Sequence, residues 1–152
     1  MNNRTRILMT MATALFAASA AADTGEPAGM IKTRRGSVSV DRAGQQLDAP
    51  LGMAVFPGDR LRTGRDSAVG VTLRDDTRMS AGPDSTMLIS EFRFNTTTHE
   101  GSMLAALLKG TFSIVTGLIA KQSPRNVNFT TPTLSLGVRG TAFIVEVEQA
   151  AP

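Results

Sequence analysis

"TPTLSLGVRGTAFIVEV", residues 131–147, holds two alternating apolar runs separated by an arginine between two glycines. Leu134, Leu136 and Val138 recur at every second position, as do Phe143, Val145 and Val147, the signature of strands with one buried face. On that pattern Val138 points to the core and Arg139 away from it. Glycine inside a strand pattern marks a bulge or a close backbone approach, so Gly137 and Gly140 are expected to kink the chain where it passes a neighbouring strand. Arg139 then locks the corner by bonding backbone carbonyls or a carboxylate such as Asp59, for which a guanidinium fork has the matching geometry. The competing reading makes Arg139 a recognition residue for a partner's carboxylate or chain end.

The period of two extends through most of the chain. It is seen at Val38 and Val40, Ala54 and Phe56, Val69 to Leu73, Met87 and Ile89, and Phe92 and Phe94. Turn chemistry separates the runs: Pro57-Gly58-Asp59, Asp75-Asp76-Thr77, Gly82-Pro83-Asp84 and Ser123-Pro124-Arg125-Asn126. Proline followed by glycine favours a type II turn, because glycine alone takes positive φ without strain. Asp75-Asp76 reads as a tight hairpin lacking the usual glycine. Turns at about 8–12-residue spacing predict an all-β fold: a single domain of short antiparallel strands, sandwich- or solenoid-like, with at most one short helix. That helix is expected over residues 102–109, where a serine start and Gly110 flank good helix formers, with a buried strand as the alternative.

At the N-terminus, Arg4 and Arg6 precede an apolar run from Ile7 to Ala18 and an A-x-A site at residues 20–22. This predicts a signal peptide over residues 1–22, too short for a membrane span, and export to the periplasm or beyond. Residues 23–29 are polar and Gly/Pro-rich and are expected to be a flexible lead, with the β domain over residues 30–152. No later apolar run is long enough to span a bilayer. The leader carries two of the 16 basic residues, so 14 remain against 13 acidic ones, a nearly neutral protein. That balance, with no Trp or Tyr for stacking, argues against nucleic acid as a partner. About 130 residues bury roughly two thirds of their unfolded surface, and without cysteines packing alone must hold the fold.

Little in the chain is equipped for catalysis. His99 is the one histidine and lies in a polar loop. No nucleophile elbow accompanies any serine, and no second histidine or cysteine completes a metal site. Asp75, Asp76 and Thr77 lack calcium-loop spacing. Glu146 and Glu148 share the outward face of the last strand, an ordinary device for an edge. Gly58 to Gly64 lacks the lysine and following helix of a phosphate loop. A non-enzymatic protein without cofactor or metal is expected.

"FPGDRLRTG" (56–64), "SAVGVTLRDDT" (67–77), "GTF" (110–112) and "TPTLSLGVRGTAF" (131–143) together resemble the FecR domain family, in the family's order over about residues 38–147. Asp76-Thr77 departs from the family's Gly-Ser. The resemblance implies an all-β, non-catalytic domain outside the inner membrane, with Gly58, Asp59, Thr63, Gly64, Asp75, Asp76, Pro132, Gly137, Arg139, Gly140, Thr141 and Phe143 as motif residues, structural or partner-binding. In the namesake iron-uptake regulators the domain receives a signal from an outer-membrane receptor. These 152 residues show neither an anti-sigma segment nor a second apolar span, so sigma-factor signalling is not carried over. The expectation is an interaction, signalling or scaffold module of the cell envelope whose partner is an envelope protein. The alternative is a carbohydrate or peptidoglycan binder, for which a chain without Trp or Tyr is poorly equipped. The last strand, 142–148, is the edge to which a partner strand would add.

Overall fold

A computed structural model describes residues 25–138 and 141–148 of the chain. Twelve strands form the fold: β1 (Gly29–Arg35), β2 (Val38–Arg42), β3 (Gln45–Asp48), β4 (Ala54–Val55), β5 (Arg60–Thr63), β6 (Ala68–Leu73), β7 (Arg78–Ala81), β8 (Thr86–Phe94), β9 (Gly101–Val115), β10 (Val127–Thr130), β11 (Ser135–Gly137) and β12 (Ala142–Val147). One short helix, α1 (Leu118–Gln122), and a 3₁₀ turn (Pro124–Asn126) join β9 to β10.

The ladder runs β3-β2-β5-β8-β9-β7-β6-β1-β4, and β9 organises it. Its first half pairs with β8 on one side and β10 on the other. Its second half pairs with β7 and with β12. Phe129 lies opposite Ala105 and Phe143 opposite Ile114, which would be about 30 Å apart if β9 ran straight. Their ring centroids are 5.4 Å apart, edge to face. The strand therefore folds over on itself, and its halves belong to two facing sheets. The turning point is Gly110, whose φ of +105° suits glycine and where a Cβ would collide with Ser85. The all-β class expected is the one formed, as a sheet of connected strands curled over on itself at β9.

The core between the sheets is one cluster that includes Ile31, Leu61, Leu73, Met79, Ile89, Leu107, Phe112, Ile114 and Phe129. The alternation that predicted the strands is the alternation of burial: in β7, Met79 and Ala81 are buried while Arg78 and Ser80 are exposed.

Several expectations are corrected. Residues 102–109 belong to a strand, not a helix. Met103, Ala105 and Leu107 face the core while Leu104, Ala106 and Leu108 are half-buried on the other face, so a strand apolar on both faces resembles a helical run. Among the described residues the one α-helix lies at Leu118–Gln122 instead. Pairing is antiparallel throughout the described strands except between β9 and β10, which run parallel. Residues 28 and 29, expected in a flexible lead, are packed into the fold. Ala28 is fully buried, its N–H donates to Val55 O, and its carbonyl accepts from Arg74 N. Leu134 is 62% exposed, because it closes a turn with Thr131 rather than continuing β11. Asp59, the carboxylate suggested for Arg139, is bonded by Arg42. Arg139 and Gly140 themselves, and the expected leader, lie outside the described residues.

Candidate functional site

The motif residues separate into two groups, one in turns and strand ends around the buried Asp59, Thr63 and Asp75, and one at an open margin. Asp59, at the end of the Phe56–Asp59 turn, is 1% exposed. Arg42 grips it with both arms of the guanidinium, Nε to Oδ1 at 2.9 Å and Nη2 to Oδ2 at 2.7 Å. Phe56 N donates to the same carboxylate at 2.8 Å, and the Arg42 guanidinium lies 4.7 Å above the Phe56 ring. The hydrogen bond with Asp59 holds Arg42 above its ordinary pKa, assisted by the charge and opposed by burial. Gly58 takes φ +93°, as the turn requires, and Asp59 N closes it on Phe56 O at 3.0 Å.

Thr63 and Gly64 tie the end of β5 to the loop after β7. The Thr63 hydroxyl donates to Gly82 O at 2.6 Å and accepts from Ser85 N at 2.9 Å. Gly64 donates to Ser37 O and accepts from Asp84 N.

Asp75 is fully buried and satisfied by donors alone. Its Oδ1 accepts Thr77 N at 3.1 Å, and its Oδ2 accepts Thr77 Oγ1 at 2.8 Å and Ile119 N at 3.3 Å. Its carbonyl accepts Leu118 N at 2.7 Å, while Thr77 Oγ1 accepts Gly117 N at 3.0 Å. The hairpin turn is thus a socket for the start of α1. Asp76 occupies the left-handed position at φ +66° where glycine is customary, one of the few residues with a side chain that tolerates it. Asp59, Thr63 and Asp75 are therefore buried and bonded within the fold, while Asp76 is exposed at the turn. Sequence reasoning missed their partners Arg42, Ser85 and Gly117, which sit far away in the chain and carry no local pattern.

The second group gathers at one margin of the fold. β11 pairs only with β10, and β12 only with β9, among the described residues. They are edge strands of opposite sheets, joined by the segment that contains Arg139. Between them is an open groove of about 790 Å³, lined by residues 131–134, 136–138 and 143–148 together with Leu108. Pro132, Gly137 and Phe143 of the motif all line it; Thr141, which does not, precedes β12 and accepts Thr116 N through its carbonyl at 2.8 Å. Leu136, Val138, Phe143, Val145 and Val147 are half-buried against the core, so the interior is partly uncovered here. Ile144 is 75% exposed on the rim. Glu146 and Glu148 point outward, as the alternation predicts. The quoted stretch thus builds two edges, and its uncovered apolar row could have been found from the period of two in Phe143, Val145 and Val147.

His99 is exposed in its loop and stacks on Phe94 at 6.0 Å. Among the described residues, no three His, Asp or Glu side chains gather as metal ligands, and no helix is long and apolar enough to cross a membrane.

No curated protein matches the chain. A solved structure described as "Cell surface anchoring domain" is 33% identical over 41% of this chain and 83% of its own length, with a TM-score of 0.39. The family described as "FecR protein" matches residues 59–152, beginning at the gripped Asp59 rather than near Val38 and running through the hairpin socket and both edges of the groove. That match spans well over half the chain, which therefore belongs to the FecR protein family.

Proposed function

We propose that this chain is a non-catalytic protein-interaction module of the bacterial cell envelope, exported to the periplasm, that holds its partner by taking up an extended strand in the groove between β11 and β12. The observation that carries the reading is the coincidence of two sheet edges, unpaired among the described residues, with a partly uncovered apolar row between them. An incoming strand gains main-chain hydrogen bonds from an edge and buries every second side chain against the row, which is how β-strand addition combines affinity with specificity. Membership of the FecR family supports an envelope role. The buried motif carboxylates support the absence of catalysis, since Asp59 and Asp75 are consumed by structural bonds.

The test is affinity capture from envelope extract with the mature protein, compared with the Ile144→Lys variant. Ile144 is largely exposed, so the substitution leaves the fold intact while placing a charge on the apolar rim. A protein captured by the native chain and lost with Ile144→Lys, at an unchanged melting temperature, supports the reading. A protein retained equally by both overturns the groove as the contact. Enrichment of cell-wall glycan fragments alone overturns the protein-binding reading in favour of a glycan binder.

A further inference from the structure

The charge around the groove narrows what can enter it, and this step rests on the reading just given. Glu146 and Glu148 are the ionisable residues among the described groove lining, and neither is in an ion pair. The acidic residues that are paired, Glu26, Asp41, Asp48 and Asp59, lie elsewhere. On the adjoining strand β9, Ile144 lies opposite Ser113 and Glu146 opposite Thr111; Lys109 follows one residue beyond the paired register, on the side of Glu148, and forms no ion pair with it. On its open side, an added strand would set one residue about 5 Å from each of these positions on the same face.

We propose that the partner strand alternates apolar with basic residues: apolar side chains inward against Phe143, Val145 and Val147, and Lys or Arg outward beside Glu146 and Glu148. A second copy of this chain fits less well, because its own β12 would bring two more carboxylates onto the same face, where like charges repel. An anionic lipid surface is opposed by the same rim.

The probes are three glycine-flanked peptides that alternate valine with lysine, threonine or glutamate, titrated into the ¹⁵N-labelled mature protein at low salt. The lysine peptide is expected to bind about three- to tenfold more tightly than the threonine peptide, with the glutamate peptide weakest. The shifted amides should be those of β11 and β12. The preference should shrink as salt rises and reverse in Glu146→Lys/Glu148→Lys, whose substituted positions are exposed. Equal affinity of all three peptides at β11 and β12 overturns the charge selection while the groove reading stands. Failure of every peptide to move those amides overturns both. Sedimentation as a dimer that the lysine peptide does not dissociate assigns the groove to a second copy and overturns the proposal.

Discussion

Replacing Asp75 with alanine removes the acceptor for Thr77 N, Thr77 Oγ1 and Ile119 N in one step. Asp75 and Thr77 are both buried, so water does not readily replace the carboxylate. A hydrogen bond to a charged group contributes about 1.5–3 kcal/mol, and a buried donor left unmade costs about 1–3 kcal/mol. The Thr77 hydroxyl can rotate to another acceptor and the Ile119 bond is long, so the sum of three is an overestimate. We expect a loss of about 3–5 kcal/mol, read by urea unfolding, and a fall in melting temperature of roughly 10–20 °C for a domain of this size. Asp75→Asn keeps the shape and one acceptor oxygen and should lose about half as much. The Asp75→Ala and Thr77→Val changes should also be strongly non-additive, because they share one network. A loss below about 1 kcal/mol for Asp75→Ala would refute the idea that this turn anchors α1.

Arg42→Met strands the Asp59 carboxylate; because Arg42 is partly solvated, the expected cost is about 2–3 kcal/mol by denaturant unfolding, and Arg42→Lys should recover only part of it. Gly117→Ala drives a Cβ into the backbone at Asp75 and Thr77, so a destabilisation of at least about 2 kcal/mol is expected in a thermal melt. Phe143→Ala breaks the edge-to-face contact with Phe129 but vacates a half-buried position, so about 1.5–3 kcal/mol is expected, less than for a fully enclosed phenylalanine. The hydrogen bonds from Arg34 hold the exposed Asp48 carboxyl below its ordinary pKa. A lowered folded-state value means its small contribution is present above about pH 4 and disappears as pH falls through the lowered value. Asp48→Asn should therefore alter only the acid limb of a stability profile.

The fold class was legible because burial in this fold follows the simplest rule of sheets. Val38 and Val40, Val69 and Val71, and Met87 and Ile89 are buried where the period of two puts them. The Pro57-Gly58 turn and the Asp75-Asp76 hairpin were legible for the same reason, since their backbone demands are written in the residues that occupy them. Residues 102–109 were not, because β9 is covered on both faces and so loses the alternation that identifies a strand. The turn at Leu134 was misread because an apolar residue in register with a strand carries no sign that it closes a Thr131 turn instead. The site was half legible. Phe143 and Gly137 were singled out, yet Arg42, Gly117 and Ser85 owe their importance to contacts that span about 20–40 residues and leave no local trace.

The central claim is that the groove between β11 and β12 is where the partner sits. Its most direct test is a photoreactive residue placed in turn at positions 144, 134 and, on the far edge strand β3, 46, with cross-linking in intact cells. The account predicts one partner cross-linked from 144 and 134 but not from 46, through an extended segment of that partner. Equal cross-linking from position 46, or none from 144 and 134 in cells where the protein is folded and exported, would contradict it.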